Sequence, residues 1–146
     1  MIRTLSLIIT AILLVGCGDE KPLPVEKFPY EAQKFLHFHY PYAKAAQSTV
    51  EGFFSKEYEV KLDNLVEVTF NSDGEPIEMD CKHRVVPMGV INSKIVGDFS
   101  RRYGDAYATG FEIEDNGNYK VDIRLFNGSD LELIYTKDGK FLGLDD

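Results

Sequence analysis

The chain has 146 residues, with 24 Asp and Glu against 16 Lys and Arg, for a formal net charge of −8 at pH 7. An acidic balance without Lys/Arg clusters excludes nucleic acid as a partner, because phosphate binding is driven by basic side chains. Two cysteines make no disulfide framework. The chain also lacks His-Glu-x-x-His, Cys-x-x-Cys, Gly-x-Ser-x-Gly and a glycine-rich phosphate loop, so the common hydrolytic, redox and nucleotide chemistries lack their parts.

Met1-Ile2-Arg3 gives a short positive start, Leu5 to Val15 an apolar run, and Leu14-Val15-Gly16-Cys17 closes it. A bilayer-spanning helix needs about 20 apolar residues, so the segment reads as a cleaved export signal over 1–16. The Leu-Val-Gly-Cys run resembles the lipobox of bacterial lipoproteins, which implies that Cys17 is lipidated and becomes the first mature residue. Acyl chains contribute about 0.8 kcal/mol per buried methylene and a stable anchor takes more than one. The resemblance thus implies a membrane-anchored envelope protein, on the periplasmic side or the outer surface of the outer membrane. Residues 17–24, with Asp19, Glu20, Lys21 and two prolines, read as a tether. Loss of the leader removes Arg3 and no acid, and leaves Cys81 without an intrachain partner. Directly after an expected strand, Cys81 reads as a buried, inert thiol.

Residues 25–146 read as one domain containing the same unit twice, repeat one over about 25–82 and repeat two over about 83–146. Leu23-Pro24 matches Val86-Pro87, Tyr40 matches Tyr103, Ala43 and Ala45 match Ala106 and Ala108, and Val50-Glu51 matches Ile113-Glu114, all 63 residues apart. A repeated supersecondary unit buries its apolar face against its neighbour.

In repeat one, Pro29 opens a helix on which Ala32, Phe35, Leu36 and Tyr40 recur at helical spacing until Pro41. A short strand follows over Ala45 to Glu51. Tyr58, Val60 and Leu62 then alternate with Glu59 and Lys61, and Val66, Val68 and Phe70 with Glu67 and Thr69. This period of two marks half-buried antiparallel strands. Ile77 to Asp80 is the fourth strand. In repeat two, Asn92 or Ser93 caps a helix carrying Ile91, Ile95, Phe99 and Tyr103 up to Gly104. Strands follow over Ala108 to Glu114, Tyr119 to Leu125, Leu131 to Tyr135 and Phe141 to Leu144. Asp63-Asn64, Asp73-Gly74, Asn127-Gly128 and Asp138-Gly139 supply hairpin turns.

These pieces together, from Pro29 to Pro41 with Tyr58-Glu59-Val60-Lys61-Leu62 and Asp73-Gly74 to Asp80, then Ile91 to Gly104 with Tyr119-Lys120-Val121-Asp122-Ile123 and Asn127-Gly128 to Asp145, resemble the PepSY-like, beta-lactamase-inhibitor-like proteins of Bacteroidetes envelopes. The resemblance covers essentially the whole mature chain. It implies an α+β fold of two tandem repeats, each a helix followed by a four-stranded antiparallel meander, forming one long antiparallel sheet with both helices on one face. Two departures stand out: Asn64-Leu65 occupies the place of the family's Asn-Gly, and Tyr119 to Tyr135 is longer than Tyr58 to Phe70, so the second hairpin is expected to be extended or bulged. The family carries no catalytic residues over to this chain.

His37 and His39, two apart on a helix, point to different faces and cannot chelate one ion; they and His83 read as ordinary surface or packed histidines. Asn71, Asp73, Gly74 and Asp80 echo a calcium loop but fit a hairpin turn better, with Thr69 where the first ligand would stand. No metal, cofactor, small-molecule substrate or enzymatic activity is expected. The helix-free strand face carries Glu59, Lys61, Glu67, Lys120, Asp122, Arg124 and Glu132. Mixed charge on a broad sheet gives recognition through complementary potential, and the inhibitor-like resemblance implies an exported or envelope protein as partner. The alternative is a lipid-anchored structural scaffold in envelope assembly, pairing sheet edges or helices with neighbours.

Overall fold

Alternating apolar and charged residues build nine strands: β1 (Lys21–Pro22), β2 (Ala45–Glu51), β3 (Glu57–Leu62), β4 (Glu67–Phe70), β5 (Pro76–Asp80), β6 (Tyr107–Ile113), β7 (Tyr119–Arg124), β8 (Asp130–Tyr135) and β9 (Phe141–Leu144). The structure is a computed structural model that describes residues 19–145. The expected signal segment 1–16 and Cys17 lie outside the described residues. The strands form one sheet in chain order, each pair antiparallel. Eight of the strands are those expected. The ninth, β1, comes from the segment read as a tether, where Lys21 and Pro22 pair with Val50 and Thr49.

Helix α1 (Tyr30–His39) follows a short 3₁₀ turn at Val25–Lys27, and α2 (Ser93–Tyr103) is capped by the Asn92 side chain, which accepts the Lys94 N–H at 2.9 Å. Gly104, with φ +64°, ends α2 in a backbone conformation that suits glycine. Both helices lie on the same face. Their apolar stripes, Ala32 and Leu36 on α1 and Ile95 and Phe99 on α2, enter one cluster with the inward side chains of the sheet. The register aligns Val60, Val68, Met79, Phe111, Val121 and Leu133 in a row across β3 to β8, and each is 0–2 % exposed. The repeats meet at the β5–β6 pairing, where Glu78, Met79 and Asp80 oppose Glu112, Phe111 and Gly110.

The second hairpin is extended rather than bulged: β7 and β8 pair continuously over six positions, against four for β3 and β4. The turns at the base of these hairpins share one geometry. Asn127 Oδ1 accepts the Ser129 N–H at 2.9 Å and Asn64 Oδ1 accepts the Val66 N–H at 3.1 Å, and the next position has positive φ in both, +85° at Gly128 and +73° at Leu65. A leucine in the left-handed region is strained, and its side chain is exposed, so packing does not compensate.

A feature not visible in the sequence ties α2 to the sheet. Asp98, 8 % exposed, accepts hydrogen bonds from Tyr135 Oη (2.9 Å), Arg101 Nη2 (2.7 Å) and Arg102 Nε (2.6 Å), while Arg102 lies 4.0 Å over the Phe141 ring. The hydrogen bond from Arg102, foremost, outweighs burial and holds the Asp98 carboxyl below the usual carboxylate range.

Two stability predictions follow from these contacts. Leu65→Gly is expected to raise stability by about 0.5–1 kcal/mol, the strain relieved less the extra chain entropy of glycine, read as a higher urea midpoint; a lower midpoint would rule out the strain. Asp98→Asn is expected to cost about 1–3 kcal/mol at neutral pH. Because the folded Asp98 titrates below its unfolded value, its contribution is present above the unfolded pKa and is lost as pH falls through the folded one. Urea curves from neutral pH to about pH 3 should therefore show the variant and the parent converging in acid.

Candidate functional site

On the helix-free face the alternation stacks polar side chains into rows that cross the strands. One row runs Thr49, Glu59, Thr69, Glu78, Glu112 and Lys120 from β2 to β7. The adjacent row runs Gln47, Lys61, Glu67, Asp80, Gly110, Asp122 and Glu132 from β2 to β8. Of the seven candidate residues, Glu59, Lys61, Glu67, Lys120, Asp122 and Glu132 lie in these rows, and Arg124 lies one step along β7 opposite Asp130.

The structure adds Glu78, Asp80 and Glu112, which carry the rows through the seam between the repeats. Their signal was the alternation in Ile77 to Asp80 and in Ala108 to Glu114. Gly110 sits between Asp80 and Asp122 in the second row; a Cβ there would fall 2.7 Å from Met79 O and 3.0 Å from Asp122 Oδ2, so this seam admits only glycine without rearrangement.

The expected mixture of charge resolves differently once contacts are placed. Lys61 Nζ lies 3.2 Å from Glu67 and 3.8 Å from Glu59, and Lys82 Nζ lies 2.7 Å from Asp80 and 3.5 Å from Glu67. Lys120 Nζ is 2.9 Å from Asp145, and Arg124 donates to both Asp130 oxygens at 2.8 and 2.9 Å. The cations are engaged within the sheet, and the acids outnumber them.

Three of the carboxylates, Glu59, Glu78 and Asp122, register this excess. Burial, with the charges of Glu20, Glu67 and Glu51 added, pushes Glu59 upward against the pull of Lys61. Burial pushes Glu78 up, assisted by Glu112, Glu59, Glu57 and Asp80. Asp122 rises through burial, then through Glu132 and Asp80. Asp80 moves the other way: burial pushes it up, but the Lys82 side chain and backbone N–H together hold it below the usual range. The relief is shallow. A hollow of about 160 Å³ lies among Glu59, Glu67, Thr69, Glu78 and Asp80, and one of about 330 Å³ lies among Lys82, His83, Asp122, Arg124 and Glu132.

Among the described residues no three His, Cys, Asp or Glu side chains gather as a set of metal ligands. Asn71, Asp73 and Gly74 form the β4–β5 hairpin turn, in which Asn71 Oδ1 accepts the N–H groups of Asp73 and Glu75 at 3.0 Å, while Asp80 closes β5 at its other end. His37 borders an open hollow of about 630 Å³ on the helix side, between α1, the 3₁₀ turn and β2. His39 instead stacks on Phe35 at 4.5 Å, and burial lowers its pKa. Cys81 is 1 % exposed, with the Tyr40 hydroxyl 3.8 Å from Sγ, and burial pushes the thiol upward. It is a packed, unreactive side chain.

Since Glu78 and Asp122 titrate above their unfolded values, their ionisation opposes folding once pH rises past the unfolded pKa. Glu78→Gln and Asp122→Asn are each expected to raise the urea midpoint at pH 7 and to leave it unchanged near about pH 3, where parent and variant are both neutral at that position. An equal gain at both pH values would point to packing rather than charge.

No helix among the described residues is long and apolar enough to cross a membrane. The family model described as "Putative beta-lactamase-inhibitor-like, PepSY-like" matches residues 18–75 and again 56–143. A solved structure described as a "putative periplasmic protein" of the DUF2874 family from Bacteroides vulgatus is similar at 30 % identity and a TM-score of 0.77, over 88 % of this chain and 98 % of that one. A "putative calcium-regulated periplasmic protein" from Bacteroides thetaiotaomicron is similar at 32 % identity and a TM-score of 0.74, over 88 % and 98 % of the two chains. A second Bacteroides vulgatus structure, a "putative periplasmic protein of unknown function", is similar at 30 % identity and a TM-score of 0.74, over 88 % and 99 %. No curated protein matches significantly. With its tandem helix-and-meander repeats on a shared sheet, the chain belongs to the PepSY-like, beta-lactamase-inhibitor-like family.

Proposed function

We propose that the protein is a non-catalytic binding module of the cell envelope, exported and held by lipid on Cys17, whose acidic sheet face docks on a cationic surface of an exported protein. The observation that carries this reading is the strip from Glu59 through Glu78 and Glu112 to Asp122 and Glu132. Its neighbouring cations are already paired, and Glu59, Glu78 and Asp122 are pushed upward by burial and by the acids around them. A basic partner relieves that repulsion on contact, so part of the affinity is stored in the free protein. The broad, shallow relief suits a protein surface better than a small molecule, which favours a deep and mostly apolar cavity. The family description points to an exported enzyme as the class of partner, and the descriptions of the Bacteroides structures support a periplasmic setting.

Calcium, named in the description of the Bacteroides thetaiotaomicron relative, would act on such a strip by screening it. A second reading, the envelope scaffold, draws on β9, an edge strand on which Leu142 and Leu144 are about half exposed.

The test is affinity capture from a native envelope extract with the full chain and with a Glu59→Lys, Glu78→Lys, Asp122→Lys variant. The acidic-face reading expects the variant to lose the captured protein, the parent's association rate to fall steeply with salt, and millimolar calcium to weaken capture relative to a chelator. Capture that survives the three reversals but disappears when Leu142 and Leu144 are replaced by lysine would transfer the function to the sheet edge.

A further inference from the structure

Four hairpin turns lie at the end of the sheet where both helices begin, and three of them are polar: Ser72-Asp73-Gly74, Asp115-Asn116-Gly117 and Lys137-Asp138-Gly139. The fourth, between β2 and β3, carries Phe53 and Phe54, which are 86 % and 98 % exposed. The repeat supplies its own control. In the equivalent β6–β7 turn the Glu114 N–H donates to Asn118 O at 2.8 Å and leaves only residues 115–117 at the tip. In the β2–β3 turn the last pair is Glu51 with Glu57, so residues 52–56 project. Repeat one has thus lengthened this tip and made it aromatic.

The tip is braced. Gly52 turns the chain at φ +92°, where a Cβ would run into Ser55 O. The Lys56 N–H donates to Ser72 Oγ at 3.2 Å, and Ser72 Oγ donates to Lys56 O at 3.1 Å, which fastens the tip to the next turn. The two rings stand edge to face with centroids 5.1 Å apart. Among the described residues nothing covers them, and water gives no reason to hold two phenyl rings outward.

The register of β1 says what covers them. Lys21 pairs with Val50, so the chain enters the sheet beside the end of β2 that leads into the tip. Cys17 precedes Lys21 by four residues, a reach of at most about 14 Å even when fully extended. Anchor and aromatic tip therefore share one end of the molecule. We propose that Phe53 and Phe54 form a wedge that enters the headgroup–acyl boundary of the membrane holding Cys17, with the exposed Lys56 beside them facing lipid phosphates. This inference rests on the lipid-anchor reading above. Two contacts, one covalent lipid and one protein tip, fix an orientation that a lipid on a flexible tether does not.

The chain contains no tryptophan, so single substitutions report cleanly. F54W places a fluorophore in the tip, and F126W places one on the β7–β8 turn at the opposite end, where Phe126 is 89 % exposed. The full chain carrying either change is expressed with its leader and reconstituted into phosphatidylethanolamine–phosphatidylglycerol vesicles with brominated acyl chains. The mass of the N-terminal peptide separately reports acylation of Cys17. The wedge predicts a blue shift and bromine quenching for F54W, with F126W emission unchanged from detergent-free buffer. A chain held by an acylated Cys17 with both fluorophores unquenched, or with F126W alone quenched, overturns the wedge and leaves the anchor standing. A chain with unmodified Cys17 that stays in solution overturns the anchor and the wedge with it.

Discussion

Three residue pairs make this one protein rather than two half-domains. At the β5–β6 seam Met79 meets Phe111 on the core face, both 2 % exposed, while Glu78 meets Glu112 and Asp80 meets Gly110 on the other. Burying a methionine and a phenylalanine is worth about 1.5–3 kcal/mol each, whereas opposed like charges on an exposed sheet face cost on the order of a few tenths to 1 kcal/mol. The apolar side decides the pairing, and the acids are carried along with it. The backbone reinforces the seam beyond the strand ends, where the Cys81 and Val86 N–H groups donate to Thr109 and Ala108 O at 2.8 Å. The acidic strip is thus a consequence of joining the repeats: each repeat brings its own carboxylates, and the seam sets them side by side.

This ties stability to the recognition proposed for the same face. A sheet face optimised for stability would oppose Glu78 with a lysine, as Lys61 opposes Glu67 on the neighbouring strands. The seam leaves Glu78 beside Glu112 instead, and Gly110 allows the Asp122 carboxylate to close over the backbone at the same place. The raised carboxylates lie in and on both sides of the seam, in β3, β5 and β7. In the docking reading proposed above, these least comfortable charges are the ones a basic partner meets from outside.

Much of the fold was legible because its determinants are local. Period-two alternation and the Asn and Asp-Gly turns place eight strands within a residue or two of their observed ends, and Asn92 and Gly104 delimit α2 from neighbouring chemistry alone. What escaped depends on partners distant in the chain. Lys21 and Pro22 carry no strand pattern and become β1 only because Val50 and Thr49 offer an edge. The arginines three and four residues after Asp98 can be read from the helix, but Tyr135, 37 residues on, cannot. Lys61, Lys120 and Arg124 read only as part of a mixed charge, because their carboxylate partners, on other strands or in the C-terminal segment, are assigned by register and by chain path.

The differences between the repeats then become informative, since each copy shows what the other could have been. Leu65 holds the backbone conformation that Gly128 adopts freely, and the β2–β3 tip is aromatic where its counterpart is Asp115-Asn116-Gly117. With the Phe53–Phe54 tip at a membrane, the strands rise away from the lipid and the acidic face looks sideways. Glu59 stands five residues beyond Phe54, at most about 17 Å if that segment were fully extended, and the second row lies two residues further along β3. Screening at physiological salt extends only about 8 Å, so the repulsion that anionic headgroups exert on the acidic rows falls off along the strands. The rows remain within reach of a partner moving along the same surface. On the two proposals the tip and the strip answer separate needs, one setting height and orientation and the other meeting charge.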